Sequence, residues 1–333
     1  MEAPMKKRKK IWKIIGISFL VIIILAVGGG VYAYKQLQPE NHFKNVPVVN
    51  ANPNSNKKAD PSQDTKIQNG VFNILLIGSD ERKGQKIGHS DSMMIVHMDL
   101  NKKEYHAMSI PRDTRVHLDG YGYTKLTSVQ YIKQATEGQQ KGVEAAIQAI
   151  TELTGVNINY YVETNYQGLQ GMVDAIGGIE MNVPFDVKLT HPWYPENKNK
   201  VINAGTHSVD GKMVTELVHE RYSLKKGEYD RQRLQEEALV GIAKKTLQPS
   251  NITKLPDFVK QIPNFLISSN MTTTDMLSLG MAVKDFNPAK QLQYHQISGE
   301  FKSMYDDILK NNNDQLIMDK EQIKQVVSQY FTK

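Results

Sequence analysis

The sequence predicts an α/β domain, a central mixed sheet with helices packed on it, preceded by one transmembrane helix. Three observations predict it. Lys6, Lys7, Arg8, Lys9, Lys10 and Lys13 lead directly into a stretch, Ile14 to Tyr34, that carries no formal charge. Beyond residue 70, apolar runs of strand length alternate with longer segments of helical periodicity. Strands and helices mixed in that order stack as helices on a sheet.

The N-terminal segment sets the topology. The charge-free stretch is 21 residues long, and about 20 helical residues rising ~1.5 Å each cover a ~30 Å hydrocarbon core. Residues 14–34 therefore read as a retained anchor. A cleaved signal peptide is the competing reading, but its apolar core is ordinarily only ~7–15 residues long. Here the run ends in Gly28-Gly29-Gly30-Val31-Tyr32-Ala33-Tyr34, whose tyrosines suit the membrane interface. The basic tail, 1–13, stays on the cytoplasmic side, and the bulk of the chain is expected outside the cell membrane. Residues 35–70 are rich in Asn, Pro, Lys, Gln and Ser, with Pro39, Pro47, Pro53 and Pro61 spaced through them. They read as a flexible tether.

Charge and cysteine usage exclude several function classes. The net charge is +6 over 333 residues, and the tail alone contributes +5, from six basic side chains against Glu2. The +1 left over gives the exported part no basic field of the kind that binds a phosphate backbone, so nucleic acid is excluded as a partner. The absence of cysteine removes disulfides, thiolate catalysis and thiolate metal sites together. An exported domain without disulfides must rely on its core, which suits a bacterium that exports domains without disulfide staples.

Along residues 71–333 the elements follow in order. Val71 to Ile77 is an apolar run ending in Gly78-Ser79-Asp80, a buried strand delivering a loop. Ser92–Met98 and Glu104–Ile110 read as two further strands, the second stopped by Pro111. Helical patterns follow at 125–135 and 141–154, a short strand at 160–163, and a helix at 166–176 ended by Gly177-Gly178. Residues 179–183 form another strand, and Asp210 is placed to cap a helix through Tyr222. A long amphipathic helix runs from about Tyr229 to Leu247. After Pro249 the pattern predicts helices at 254–267 and 274–286, a strand at 291–298 and a final helix at 319–331. No break divides 71–333, so one large domain is expected.

Three acidic residues lie where a buried strand meets a loop: Asp80, Asp91 and Asp113. Carboxylates gathered at strand ends hold hard divalent ions, although turns favour Asp for reasons of their own. Arginines accompany them. Arg82 follows Asp80, Arg112 precedes Asp113, and Arg221, Arg231 and Arg233 flank the start of the long helix. Guanidinium groups bind phosphate oxygens bidentately, and with a metal they are the electrostatic kit of phosphoryl transfer. The last three could equally lie on a solvated helix face, paired with Glu228, Asp230, Glu236 or Glu237.

Taken together these segments resemble the LytR-CpsA-Psr family of envelope proteins. The matching pieces are N-I-L-L-I-G-S-D-E-R at 73–82, S-D-S-M at 90–93, S-I-P-R-D-T at 109–114 and T-K-L at 124–126. The block from Tyr160 to Pro184 ends in V-D-A-I-G-G-I-E-M-N-V-P, and G-x-x-x-V-D-G-K follows at 205–212. The arginine-bearing stretch from Arg221 to Gln235 completes the series, which covers 73–248 and leaves 249–333 as an extension.

The resemblance implies a phosphotransferase. Such proteins take an anionic glycopolymer, of teichoic acid or capsule type, from a polyprenyl-pyrophosphate carrier and join it to peptidoglycan by a phosphodiester. It implies that Asp80 and Asp91 hold Mg²⁺, with Mn²⁺ as an alternative. It also implies that Arg112, Arg221 and Arg231, supported by Arg82, meet the pyrophosphate. Asp113 would either activate the acceptor hydroxyl or hold Arg112, and the prenyl chain would lie in an apolar pocket between sheet and helices. A single-pass anchor in the cytoplasmic membrane would place the domain beside its lipid-linked substrate.

The chain departs from the family pattern in three places. His89 and His219 stand where arginine is usual, and Arg233-Leu234 replaces a Glu-Arg pair. Neutral histidine removes a permanent charge, so activity is expected to rise as His89 and His219 protonate. Two other readings follow from those departures: a weakened envelope regulator that binds the lipid pyrophosphate, or a hydrolase in which water replaces the sugar hydroxyl. The loop His191-Pro192-Trp193-Tyr194-Pro195 is expected either to touch a sugar or to pack as surface.

Overall fold

Residues 71–77 are apolar apart from Asn73 because the structure covers both of their faces. In β1 (Val71–Ser79), Leu75 and Ile77 join one core cluster while Phe72, Ile74 and Leu76 join another on the opposite side. A strand buried on both faces reads as a continuous apolar run. The computed structural model describes residues 35–49, 69–82, 84–252 and 255–331. The predicted tail (1–13) and anchor (14–34) lie outside these residues. Among the described residues no helix is long and apolar enough to cross a membrane.

The central sheet adds β2 (Ser90–Asp99), β3 (Glu104–Ile110), β6 (Tyr160–Asn165), β11 (Leu266–Ser269) and β12 (Leu292–Gln296), in the order β11-β6-β1-β2-β3-β12. Pairing is antiparallel from β1 through β3, parallel between β1 and β6 and between β3 and β12, and antiparallel at β11. The sheet is therefore mixed, as expected. Two-stranded pairs complete the β structure: β4 (Arg115–Leu118) with β5 (Gly122–Lys125), β7 (Ile179–Val183) with β10 (Gly205–Val209), β8 (Val187–Lys188) with β9 (Val201–Ile202), and β13 (Gly299–Asp306) with β14 (Asn311–Met318).

After a single turn, α1 (Pro39–His42), one face of the sheet is covered by α2 (Leu126–Glu137) and α3 (Gln139–Thr154). A second cluster unites β7 and β10 with α4 (Tyr166–Ala175), α5 (Gly211–His219) and α6 (Glu228–Thr246). Beyond α7 (Pro249–Ile252) and α8 (Leu255–Gln261), α9 (Thr273–Ala282) packs on the second face of the sheet. The turn α10 (Pro288–Gln291) then precedes β12, and α11 (Lys320–Tyr330) returns to the first face. Asp210 caps α5 as predicted, accepting the Met213 N–H at 2.8 Å. The helix stops at His219, so Arg221 and Tyr222 stand in the loop beyond it.

Two expectations are corrected. The predicted tether is folded over 39–49. Phe43 is 0% exposed and stacks on Phe72 at 4.7 Å, Val46 is buried, and Val49 N–H donates to Ile158 O at 2.8 Å. The polar average of the segment concealed two apolar residues that reach the core. The predicted helix 254–267 ends at Gln261. Pro263 then sits in a 3₁₀ turn, Ile262–Phe265, and the chain continues as the edge strand β11.

Candidate active site

The carboxyl end of β1 and the start of β2 bring Asp80 and Asp91 to one end of the sheet. Ser79 pairs with Ser90 after an irregularity at Gly78. The loop between them folds back tightly, since a Cβ on Gly88 would lie 2.3 Å from Ser79 Oγ. The Pro111 stop puts Arg112 beside Asp91, and the first turn of α6 supplies Glu228 and Arg231.

Asp91 is the hub. Arg112 Nη1 donates to its Oδ1, while Oδ2 accepts from Arg231 Nη1 at 3.1 Å and from Tyr166 OH at 3.2 Å. Arg231 Nη2 also reaches the Asp91 backbone carbonyl (2.8 Å) and Glu228 Oε1 (2.8 Å). Burial by itself pushes the Asp91 carboxyl up, but the charges of Arg231 and Arg112 outweigh it and hold the group below its ordinary value. Arg231, only 2% exposed, loses solvation yet is held charged by Glu228 and Asp91. Burial raises Glu228 despite its pairing with Arg231. Arg231 Nε and Glu228 Oε2 are buried without a hydrogen-bond partner. The solvated-face reading thus fails for Arg231. Arg233 is half-exposed and makes the expected pairs with Glu236 (2.6 Å) and Glu237 (3.9 Å), although Glu236 is itself buried.

Asp80 accepts the His89 N–H at 2.6 Å, and its other oxygen lies 3.3 Å from His89 Nδ1. His89 in turn stacks flat on Tyr131 at 4.3 Å. Burial pushes Asp80 up and the charge of Asp91 adds to that, but hydrogen bonds from His89 prevail and lower it. The two carboxylates are therefore close enough for their charges to interact. Mg²⁺ is commonly held by one or two carboxylates together with substrate phosphates and water, and Asp80 with Asp91 fits that pattern. Among the described residues no group of three or more His, Asp or Glu is arranged as a cage. Both Asp91 oxygens are engaged, so a cation there would replace one of the present donors.

Asp113 accepts from Lys125 Nζ at 2.8 Å and lies 3.9 Å from Arg112 Nε. His219 stands edge-on to Tyr166 (5.5 Å) and 5.0 Å from Trp193, its Nδ1 buried without a partner. Burial pushes it below the usual histidine value, against the opposing charge of Asp91. Two predicted residues lie outside the Asp91 cluster. Arg221 extends over Tyr222 (5.1 Å), and Arg82 over Trp193 (4.9 Å).

Beside this cluster lies an apolar cavity of about 390 Å³ between β1, β2 and β6 on one side and α6, α8 and α9 on the other. Leu76, Val162, Leu239, Ile242, Met276 and Leu279 are among its walls. Its polar lining includes Ser79 and Asn165 at the strand ends and Asp91 itself. One site thus combines a greasy slot with a charged mouth.

A family model described as the LytR_cpsA_psr family matches residues 42–332. The chain belongs to that family. The LytR_cpsA_psr match begins inside the folded segment 39–49 and runs through the extension after residue 249. The polyisoprenyl-teichoic acid–peptidoglycan teichoic acid transferase TagU of Bacillus anthracis is 28% identical over 284 residues, 84% of this chain and 85% of the relative. The protein of the same name from Bacillus licheniformis is 28% identical over 300 residues, 90% of each chain. The crystal structure of B. subtilis TagV superposes with a TM-score of 0.64 at 23% identity, covering 78% of this chain and 96% of that one, which shows the shared fold.

Within this LytR_cpsA_psr fold, sequence reasoning missed Tyr166, Lys125 and the role of Glu228. Tyr166 could have been found as the first residue of the helix that follows β6. The pairing of Glu228 with Arg231 is local, but its burial is not legible in the sequence, because Arg231 is drawn inward by Asp91, far away in the chain.

Proposed function

We propose that the chain transfers an anionic glycopolymer from a polyprenyl-pyrophosphate carrier to peptidoglycan, as the name of its TagU relatives describes for them. One observation carries the reading: the apolar cavity meets the Asp91–Arg112–Arg231 cluster at one end. An amphiphile with a long hydrocarbon tail and a multiply charged head fits that combination, and few other ligands require both.

In the reaction, the acceptor hydroxyl oxygen bonds to the phosphorus that carries the glycan. The bond from that phosphorus to the bridging oxygen breaks, and polyprenyl phosphate leaves with the bridging electrons. The hydroxyl proton departs to solvent or a base. Arg112, partly exposed, would meet the charge that grows on the bridging oxygen. Arg231 is locked by Glu228 and the Asp91 backbone, so it offers a preorganised charge without reorganisation. Asp113 is committed to Lys125 and lies near Arg112, which favours an orienting role over activation of the acceptor.

Asp80 and Asp91 would hold Mg²⁺, which when bound would neutralise part of the pyrophosphate charge. The predicted anchor, 14–34, would keep the domain at the outer face of the membrane that carries the lipid substrate.

The test is product analysis. The full chain in nanodiscs is incubated with a polyprenyl-pyrophosphate disaccharide, Mg²⁺ and peptidoglycan oligomers, and products are read by mass spectrometry. A glycan–phosphate adduct on the acceptor, formed with release of polyprenyl phosphate and lost in Arg112→Ala, is expected. Glycan phosphate released free in water identifies a hydrolase. Binding without any product identifies a regulator that retains the pocket.

A further inference from the structure

Next to the Asp91 cluster, two buried glutamates hold an aromatic loop in place. Glu216, 1% exposed, accepts the N–H groups of Trp193 (2.8 Å) and Tyr194 (3.0 Å) and the side-chain amide of Asn197 (3.1 Å). Glu220 accepts the Thr190 N–H (2.6 Å) and hydroxyl (2.9 Å) and, from the other side, the Ser223 N–H (3.1 Å). Buried carboxylates are unfavourable unless donors meet them, and here the donors come from the loop backbone. Residues 190–197 and 221–223 are thereby fixed to one end of α5.

The groups held there are aromatic faces beside unpaired cations. Arg82 Cζ lies 4.9 Å from the Trp193 ring centre and Arg221 Cζ 5.1 Å from that of Tyr222. Neither guanidinium has a carboxylate partner among the described residues. Tyr222 is 67% exposed, and His191 lies against it at 4.4 Å. Trp193 Nε1 is a buried donor without an acceptor. The row is continuous with the reaction site, since Trp193 lies 5.3 Å from Tyr166, whose hydroxyl donates to Asp91.

A flat ring stacks on the C–H face of a pyranose, and a neighbouring guanidinium takes the phosphate or carboxylate that such a sugar carries. We propose that Trp193 and Tyr222, flanked by Arg82 and Arg221, form a sugar subsite beside the pyrophosphate cluster. Its ligand is a pyranose bearing an adjacent anionic group. The proposal rests on the transferase reading. Donor and acceptor glycans share this chemistry, and the test separates them.

Trp193 and Trp12 are the two tryptophans of the chain, so the full chain carrying Trp12→Phe in nanodiscs reports on Trp193 alone. Its emission is followed while a polyprenyl-pyrophosphate disaccharide, sugar-free polyprenyl pyrophosphate or a peptidoglycan oligomer is added, with binding measured in parallel by calorimetry. Either the disaccharide or the oligomer is expected to change the emission beyond what the sugar-free lipid does, and the one that does is the occupant. Trp193→Ala and Tyr222→Ala should each weaken that ligand roughly tenfold, the size of one lost stacking contact. Both should leave the sugar-free lipid unaffected, and Trp193→Phe should restore most of the affinity. If both sugar ligands bind with emission unchanged and with full affinity in both alanine variants, the subsite is disproved while the transferase reading stands. If no lipid pyrophosphate binds, both fall together.

Discussion

Asp91, Arg112 and Arg231 form one charge network, yet their removal should have different consequences. Arg231→Ala would leave Glu228 as a buried carboxylate without its cation and Asp91 with Arg112 alone, a loss of ~3–5 kcal/mol of stability. Arg112 is more exposed, and Asp91 keeps Arg231 and Tyr166 without it. Arg112→Ala should therefore cost about 1–2 kcal/mol of stability while lowering kcat/KM roughly a hundredfold or more. Urea midpoints beside turnover of the two variants check this, and equal stability losses would remove the distinction. His219 is the other residue with its own signature. Burial holds it below the usual value, so in the free protein it gains charge only as pH falls below about 6.5. If that charge assists pyrophosphate binding, kcat/KM rises toward the acid side in the wild type. The rise should be smaller in His219→Arg, and identical profiles would show that the histidine takes no part.

Among the elements, the three imidazoles beneath α11 make its packing pH-sensitive. His97 on β2, His106 on β3 and His295 on β12 lie together, with His106 Nδ1 3.1 Å from His295 Nε2, and Tyr330 stacks on His106 (4.6 Å) and His295 (4.5 Å). Burial pushes His97 and His295 down to about 4 and lowers His106 as well. Nearby Asp99 and Glu104 work against the shift and Lys102 with it. Because the unfolded chain binds these protons near 6.5 and the folded one does not, stability is full above that pH and declines toward pH 4. Glu236, raised to about 7 by burial, acts in the opposite sense across the same window. The wild type should therefore lose more stability between pH 7 and 4.5 than a His97→Gln His295→Gln variant. Equal slopes in urea titrations would refute this. Much of this framework was legible in the sequence. The apolar runs of β1 to β3, the Asp210 cap and the Gly177-Gly178 stop all carry local signals. The hairpins β4–β5 and β13–β14 were not legible. Asn311-Asn312-Asn313-Asp314 disfavours a strand locally, and it is held by pairing to β13 and by Asp306, which accepts from Asn313 and Gln315. At the site, Asp80, Asp91, Arg112 and Arg231 were readable as motif residues. The partnership of Tyr166 and the burial of the Glu228–Arg231 pair were hidden because both depend on contacts with the distant Asp91.

At the scale of the whole molecule, the segment closest in sequence to the predicted anchor is built into the domain. Phe43 and Val46 fill the second face of the sheet, and His42 Nε2 lies 2.7 Å from Asp275 Oδ1 at the start of α9. Helix α9 supplies Met276 and Leu279 to the cavity wall, so the segment that follows the predicted anchor touches an element that lines the cavity. Apolar cavity and charged mouth are thus parts of one folded unit, and the central claim is that they bind one amphiphile. The most direct test is the dissociation constant of polyprenyl pyrophosphate, compared with polyprenyl monophosphate, for the full chain in nanodiscs with and without Arg112→Ala. Tighter binding of the pyrophosphate by the wild type is expected, weakened about 10- to 100-fold by the variant, as one lost charged hydrogen bond of ~1.5–3 kcal/mol requires. Equal affinity for the two lipids, unchanged by Arg112→Ala, would contradict the account.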